Sequence, residues 1–366
     1  MNLSRVQFAY VSLALVALAL PQCAQRVSIR ESPTAVAVGS DAATGENRSA
    51  SETWKALRQS RFSEEAVAHY NTAATRMVRQ VEDAFPLAIA EGLPPRIQVT
   101  DEGRLVTLSI ETAPDTPWSL DRIRSLQTAD FLKIRGLRER VRTEGVGVPL
   151  VAELAAAPKR DITSSSGLYV PMTGLVDFTS NNTATLTLHD PLQEKSVPFL
   201  ENERPLRADF TAPIATTYAM RSHQRINVPA MLKFDKYADS HGLHRLGPVY
   251  PKKTPVVFVH GLKSNPDTWR DPLNELMDDP VIRERFEFWN FGYATGPAIP
   301  FSAMQLRNSL EGMVAYRNGY GARTDNVIIV GHSMGGLLAG LMTQSSGDES
   351  WFKLFAKPLD ELDIPE

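Results

Sequence analysis

The residues with the clearest chemical capacity are Gly331-His332-Ser333-Met334-Gly335, set between the apolar run Asn326-Val327-Ile328-Ile329-Val330 and Gly336-Leu337-Leu338-Ala339-Gly340. A serine between two glycines, where a strand turns sharply into a helix, is lifted clear of the sheet so that its Oγ can reach a carbonyl carbon. Gly331 and Gly335 are required because the turn crowds the backbone around a strained central residue, and flanking side chains would clash. The same turn aims the Met334 N–H at the place where the carbonyl oxygen becomes an oxyanion, with the positive end of the helix behind it.

A second segment agrees in kind. Pro255-Val256-Val257-Phe258-Val259 reads as a buried strand and runs directly into His260-Gly261-Leu262. With strand, elbow and helix following in order, the region from about Leu246 to Met342 resembles the lipase and esterase branch of the α/β-hydrolase family. That resemblance implies Ser333 as nucleophile, the Leu262 and Met334 amides as oxyanion donors, and His260, Gly261, Gly331, His332 and Gly335 as supporting residues. It implies a serine hydrolase acting on an ester or lipid substrate through an acyl-enzyme, without a cofactor. It further implies that acid and histidine follow the nucleophile in chain order.

No histidine follows Ser333; all seven precede it. Carboxylates do follow, at Asp348, Glu349, Asp360, Glu361, Asp363 and Glu366, but none is assigned as the triad acid. His332 is expected to point away from Ser333 Oγ and His260 to brace its loop, while His69, His189, His223, His241 and His244 read as surface or packing residues. The strand that flanks the elbow strand on its far side in this family comes later in the chain and has no counterpart in this sequence. Val327 to Val330 would then expose a hydrophobic edge that calls for a pairing partner. The expectation is a C-terminally incomplete hydrolase. Its rival is a non-catalytic fragment or pseudo-enzyme with a binding role.

Composition is that of a globular protein, with 43% hydrophobic and 22% charged residues over 366 positions. A net charge of −3 points to no nucleic-acid partner. No His/Cys/Asp/Glu spacing suggests a metal site. Arg5 followed by the apolar stretch Phe8 to Leu20 has the length of an export-signal core and is too short for a membrane span. The lone cysteine, Cys23, sits where a lipoprotein would be lipidated, although Gln22 is not the small residue such a site prefers. Cleavage near Ala24 is the equal alternative. The expected location is the cell envelope, the periplasm or the exterior, with a lipid anchor if Cys23 is modified.

The elements that must position the site follow from periodicity. Residues 1–24 form the signal segment, 25–50 a disordered linker, 51–235 an α+β accessory domain and 236–366 the N-terminal portion of an α/β-hydrolase domain. In the accessory region Ser63 can cap a helix carrying Val67, Tyr70, Ala74, Met77, Val81 and Phe85. Arg104 to Glu111 and Thr183 to His189 alternate as half-buried strands. Leu120, Ile123, Leu126, Leu132, Leu137 and Val141 suggest helix interrupted near Gly136, and Asp190-Pro191 a turn. From Thr254 onward, strands alternate with helices as in a doubly wound parallel sheet, with Phe286 to Phe291 as a strand and Ser302 as a cap.

Overall fold

Two sheets organise the chain in the computed structural model, which describes residues 7–13, 27–32, 49–59, 63–92, 94–155, 167–222, 241–322 and 324–344. Arg5, Cys23, His223 and the carboxylates from Asp348 to Glu366 lie outside the described residues. From the N-terminus, β1 (Gln7–Leu13) and β2 (Ser28–Glu31) precede the helices α1 (Ala50–Gln59), α2 (Glu64–Arg79) and α3 (Val81–Glu91). Ser63 caps α2 by accepting the Ala66 N–H at 3.1 Å. The stripe from Val67 to Phe85 is buried, and it runs across a break at Gln80, which closes α2 and opens α3.

The strands β3 (Arg96–Asp101), β4 (Arg104–Thr112), β5 (Ile123–Thr128), β6 (Leu132–Arg135) and β7 (Arg142–Thr143) come next. They are followed by β8 (Val148–Leu154), β9 (Leu168–Phe178), β10 (Thr183–His189), β11 (Ser196–Phe199), β12 (Asn202–Pro205) and β13 (Ala208–Asp209). Six of these form a sheet in the order β3-β4-β10-β9-β8-β5, antiparallel except where β10 runs parallel to β4. Val106, Leu108 and Ile110 of β4 and Ala184, Leu186 and Leu188 of β10 face the core beneath α1, α2 and α3. Tyr70 ties helix to sheet, its hydroxyl donating to the Val176 carbonyl and accepting the Val176 N–H, both at 2.9 Å.

In this part of the chain two expectations change with the fold. The stretch from Leu120 to Val141 carries the strands β5 and β6, single 3-10 turns at Leu120–Arg122 and Ala129–Phe131, and irregular chain from Gly136 to Val141, not an α-helix. Ile123 and Leu126 both turn inward because a bulge shifts the β5–β8 register between Ile123 and Ser125, which converts an alternating pattern into a spacing of three. Ser28–Glu31, inside the stretch read as a linker, pairs antiparallel with β6, with Val27 buried beside it and Glu31 bonded to Arg79 and Gln127.

α4 (Thr211–Ser222) closes the accessory part, and the second part runs β14 (Gly242–Arg245), β15 (Thr254–Val259), α5 (Arg270–Leu276), α6 (Pro280–Arg285), β16 (Phe286–Gly292), α7 (Ile299–Asn318), β17 (Asn326–His332) and α8 (Met334–Thr343). Its sheet has the order β1-β17-β15-β16-β14; the first four strands are parallel and β14 is antiparallel. α7 begins at Ile299 with Pro300 in its first turn, so Ser302 lies buried within the helix instead of capping it. The outer edge of β17 is covered by β1, in register from Gln7 opposite Asn326 to Leu13 opposite His332. Phe8 to Leu13, the described part of the apolar segment read as an export signal, thus fills the place that the sequence left open, as an extended apolar segment can when a strand edge lacks a partner.

The two parts share a core. Phe210, Ala215 and Tyr218 pack in one cluster with Val256, Phe258, Trp269 and Phe288. Buried polar contacts join them as well. The Tyr250 hydroxyl donates to Asp190 Oδ2 at 3.0 Å, and Lys253 Nζ donates to the Leu192 and Arg283 carbonyls at 2.6 and 2.7 Å. Asp190 also accepts the Leu192 N–H, which makes Asp190-Pro191 the turn that the sequence indicates.

Candidate active site

β15, β16 and β17 are parallel, so their carboxyl ends deliver His260, Tyr293 and Ser333 to the same end of the sheet. Ser333 joins β17 to α8 at φ 54°, ψ −121°. A non-glycine residue in that region costs on the order of 1–3 kcal/mol and persists only where its surroundings hold it. They do so closely: a Cβ at Gly331 would overlap the Gly335 carbonyl, and one at Gly335 would overlap the Val259 carbonyl. The Gly336 N–H donates to the Ser333 carbonyl at 2.8 Å and closes the first turn of α8. Met334 opens that helix, so its N–H is among those with no intrahelical acceptor.

The His260-Gly261-Leu262 loop lies against this turn. A Cβ on Gly261 would stand 3.0 Å from Ser333 Cβ and 2.9 Å from His332 Nδ1, so only glycine allows the loop to approach the elbow this closely. Leu262 follows with its side chain 55% exposed, on the rim of the site. Lys263 then takes φ 54°, a strained non-glycine residue in this loop as Ser333 is in the elbow.

Sequence reasoning missed the residues that hold this loop. Tyr293 and Thr295, just past β16, contact it on both sides of Leu262. The Tyr293 hydroxyl donates to the His260 carbonyl at 2.8 Å and the Thr295 hydroxyl accepts the Lys263 N–H at 3.3 Å. The available signal was an aromatic residue two positions after the strand Phe286 to Phe291, at the level of the His-Gly loop.

His260 is buried, stacked on Tyr293 at 4.4 Å between ring centroids, with Nδ1 3.1 Å from the Gly261 carbonyl and Nε2 3.4 Å from the Tyr293 N–H. Burial depresses its pKa to about 4; the contact with Gly261 opposes that shift and nearby His241 adds to it. It is therefore neutral at ordinary pH. With Nδ1 facing a carbonyl and Nε2 an N–H, the ring carries its proton on Nδ1. His241 immediately precedes β14, whose antiparallel course brings it to the same end of the sheet, and burial lowers its pKa too. His189 is 2.6 Å from Glu194, and His69 3.7 Å from Glu65, both in the accessory part. These contacts commit the rings of His69, His189 and His260 to groups other than Ser333. His332 Nδ1 is buried without a hydrogen-bond partner among the described residues. His244 lies opposite Asn290 in the β14–β16 ladder.

Residues 256–357, from the His-Gly strand past α8, match the family model described as alpha/beta hydrolase family. No curated protein and no solved structure matches the chain.

Proposed function

Since the chain belongs to the α/β-hydrolase superfamily through residues 256–357, we propose that it is an exported serine hydrolase acting on carboxylic esters of the lipase or esterase type. The observation that carries this reading is the contact of the oxyanion loop with the elbow, where Gly261 lies directly against Ser333. In the proposed reaction Ser333 Oγ attacks the ester carbonyl as its proton passes to a base. The oxyanion is held by the Leu262 and Met334 amides, the alcohol leaves with a proton, and water then hydrolyses the acyl-enzyme.

The test is labelling with a fluorophosphonate, read as an adduct on the peptide containing Ser333. The expected adduct forms on the native chain and is lost in Ser333→Ala. An adduct of equal yield in the variant would sink the assignment.

One observation favours a second reading, a non-catalytic chain that binds a partner: His260, the histidine of the loop itself, is neutral, buried and engaged on both nitrogens. Under that reading the native chain gives no adduct at all. Residual catalysis about 10³–10⁴-fold over water can survive without a triad member, so faint turnover alone does not separate the two.

Export is proposed from Arg5 and the apolar run Phe8 to Leu20. It predicts a mature N-terminus at Cys23, or just after Ala24, in the intact mass of the exported protein. A mass that retains residues 1–22 would make β1 a permanent strand of the sheet and remove the export signal.

A further inference from the structure

We infer that Tyr293 and Thr295 are positioning residues that clamp the oxyanion loop from the β16–α7 connection and thereby set the direction of the Leu262 amide. This inference rests on the proposed role of Ser333 and Leu262.

The loop between β15 and the turn at Pro266–Trp269 has little of its own to fix it: its only internal backbone bond among the described residues runs from the Ser264 N–H to the Gly261 carbonyl at 3.2 Å. Its geometry is nevertheless specific, because Lys263 is held at φ 54° and Gly261 is pressed onto the elbow. A strained backbone of this kind persists only where neighbours over-determine it. Besides the elbow, the described residues that bond to this loop from outside it come from one short segment. Tyr293 holds the entry to the loop three times, through its hydroxyl to the His260 carbonyl, its N–H to His260 Nε2 and its ring on the imidazole. Thr295 holds the exit through its hydroxyl and the Lys263 N–H. Leu262 lies between the two attachment points.

Both residues are buried, at 5% and 6% exposure, so water does not compete freely for these bonds. Burial pushes the Tyr293 phenol far above its ordinary range, which keeps its proton on the oxygen as the donor this geometry requires. Phe291 stacks on Tyr293 at 5.4 Å and fixes the ring from the strand side. The clamp therefore transmits the position of β16 to the site. An oxyanion donor acts through preorganisation, so a loop that must be ordered at each encounter stabilises the transition state less.

The experiment compares the full chain with Tyr293→Phe, Thr295→Val and Thr295→Ser by two readouts. The first is hydrogen exchange of the peptide spanning residues 259–264. The second is the rate of fluorophosphonate labelling, resolved into binding and inactivation constants. Loss of one such bond is expected to speed exchange in this peptide about fivefold. Inactivation should slow with unchanged probe binding in Tyr293→Phe and Thr295→Val, whereas Thr295→Ser, which retains the hydroxyl, should restore both readouts. Unchanged exchange in both Tyr293→Phe and Thr295→Val overturns the clamp, and so does faster exchange with an unaltered inactivation rate. If the native chain takes no label, the proposed hydrolase reading fails by itself, and the exchange of the same peptide alone then decides whether the clamp exists.

Discussion

At the residue scale, the site is built from close backbone approaches that forbid side chains. Gly331, Gly335 and Gly261 each occupy a place where a Cβ would overlap backbone or the elbow, and Ser333 carries the strain that results. Titration of two buried groups gives this architecture a pH signature. His260 has a folded pKa of about 4 against an ordinary 6.5. Above pH 6.5 both the folded and unfolded forms are neutral, and as pH falls toward 4 only the unfolded chain takes up the proton, so stability declines across that window. Asp190 behaves oppositely. Burial raises its pKa from 3.8 to about 6, against the Leu192 N–H, Lys253 and the Tyr250 hydroxyl, so its contribution is complete below 3.8 and is lost as pH rises through 6. The two trends offset one another between about pH 4 and 6. Asp190→Asn should therefore make the unfolding midpoint rise more steeply with pH over that interval. A slope equal to that of the native chain would refute these shifts.

At the element scale, what lies beneath the site differs in kind from what lies at it. At the opposite end of the hydrolase sheet, Glu287 at the start of β16 accepts from Arg317 of α7, from Trp289 Nε1 and from the Tyr250 N–H, the latter two at 2.9 Å. Arg317 also donates to the Lys253 carbonyl at 2.8 Å. Both charged side chains are essentially excluded from solvent. Replacing one partner strands the other charge in the core, so Arg317→Met should cost about 3–5 kcal/mol in denaturant unfolding. Glu287→Gln combined with Arg317→Met should cost less than the sum of the two single changes. Additivity would show that the pair is not coupled. Legibility at this scale was uneven. The β4 and β10 alternations, the Ser63 cap and the alternating strands and helices from Thr254 were readable because each depends on neighbours within one element. The β5 and β6 strands were not, because the bulge opposite β8 gives Ile123 and Leu126 a helical spacing, and only the partner strand distinguishes the two.

At the scale of the whole molecule, the accessory part and the hydrolase part form one body. The cluster joining Phe210 and Tyr218 to Phe258 and Phe288 is reinforced by the chain from Thr211 Oγ1 to Asn274 Oδ1 at 2.7 Å and from Asn274 Nδ2 to the Glu139 carbonyl at 3.0 Å. An interface with buried, satisfied polar groups of this kind unfolds with the cores that it joins. A single calorimetric transition is the expected result, and two resolved transitions would separate the parts. The amino-acid sequence by itself determined the sharp strand-to-helix turn at Ser333 and the His-Gly loop, because glycine requirements and apolar runs are local properties that survive without a partner. Only the tertiary structure decided that β1 lies against β17, that Tyr293 and Thr295 bond to the His260–Lys263 loop, and that Asp190 meets Tyr250. Each of these is a contact between segments distant in sequence, and their residue types are ordinary until the fold places them together.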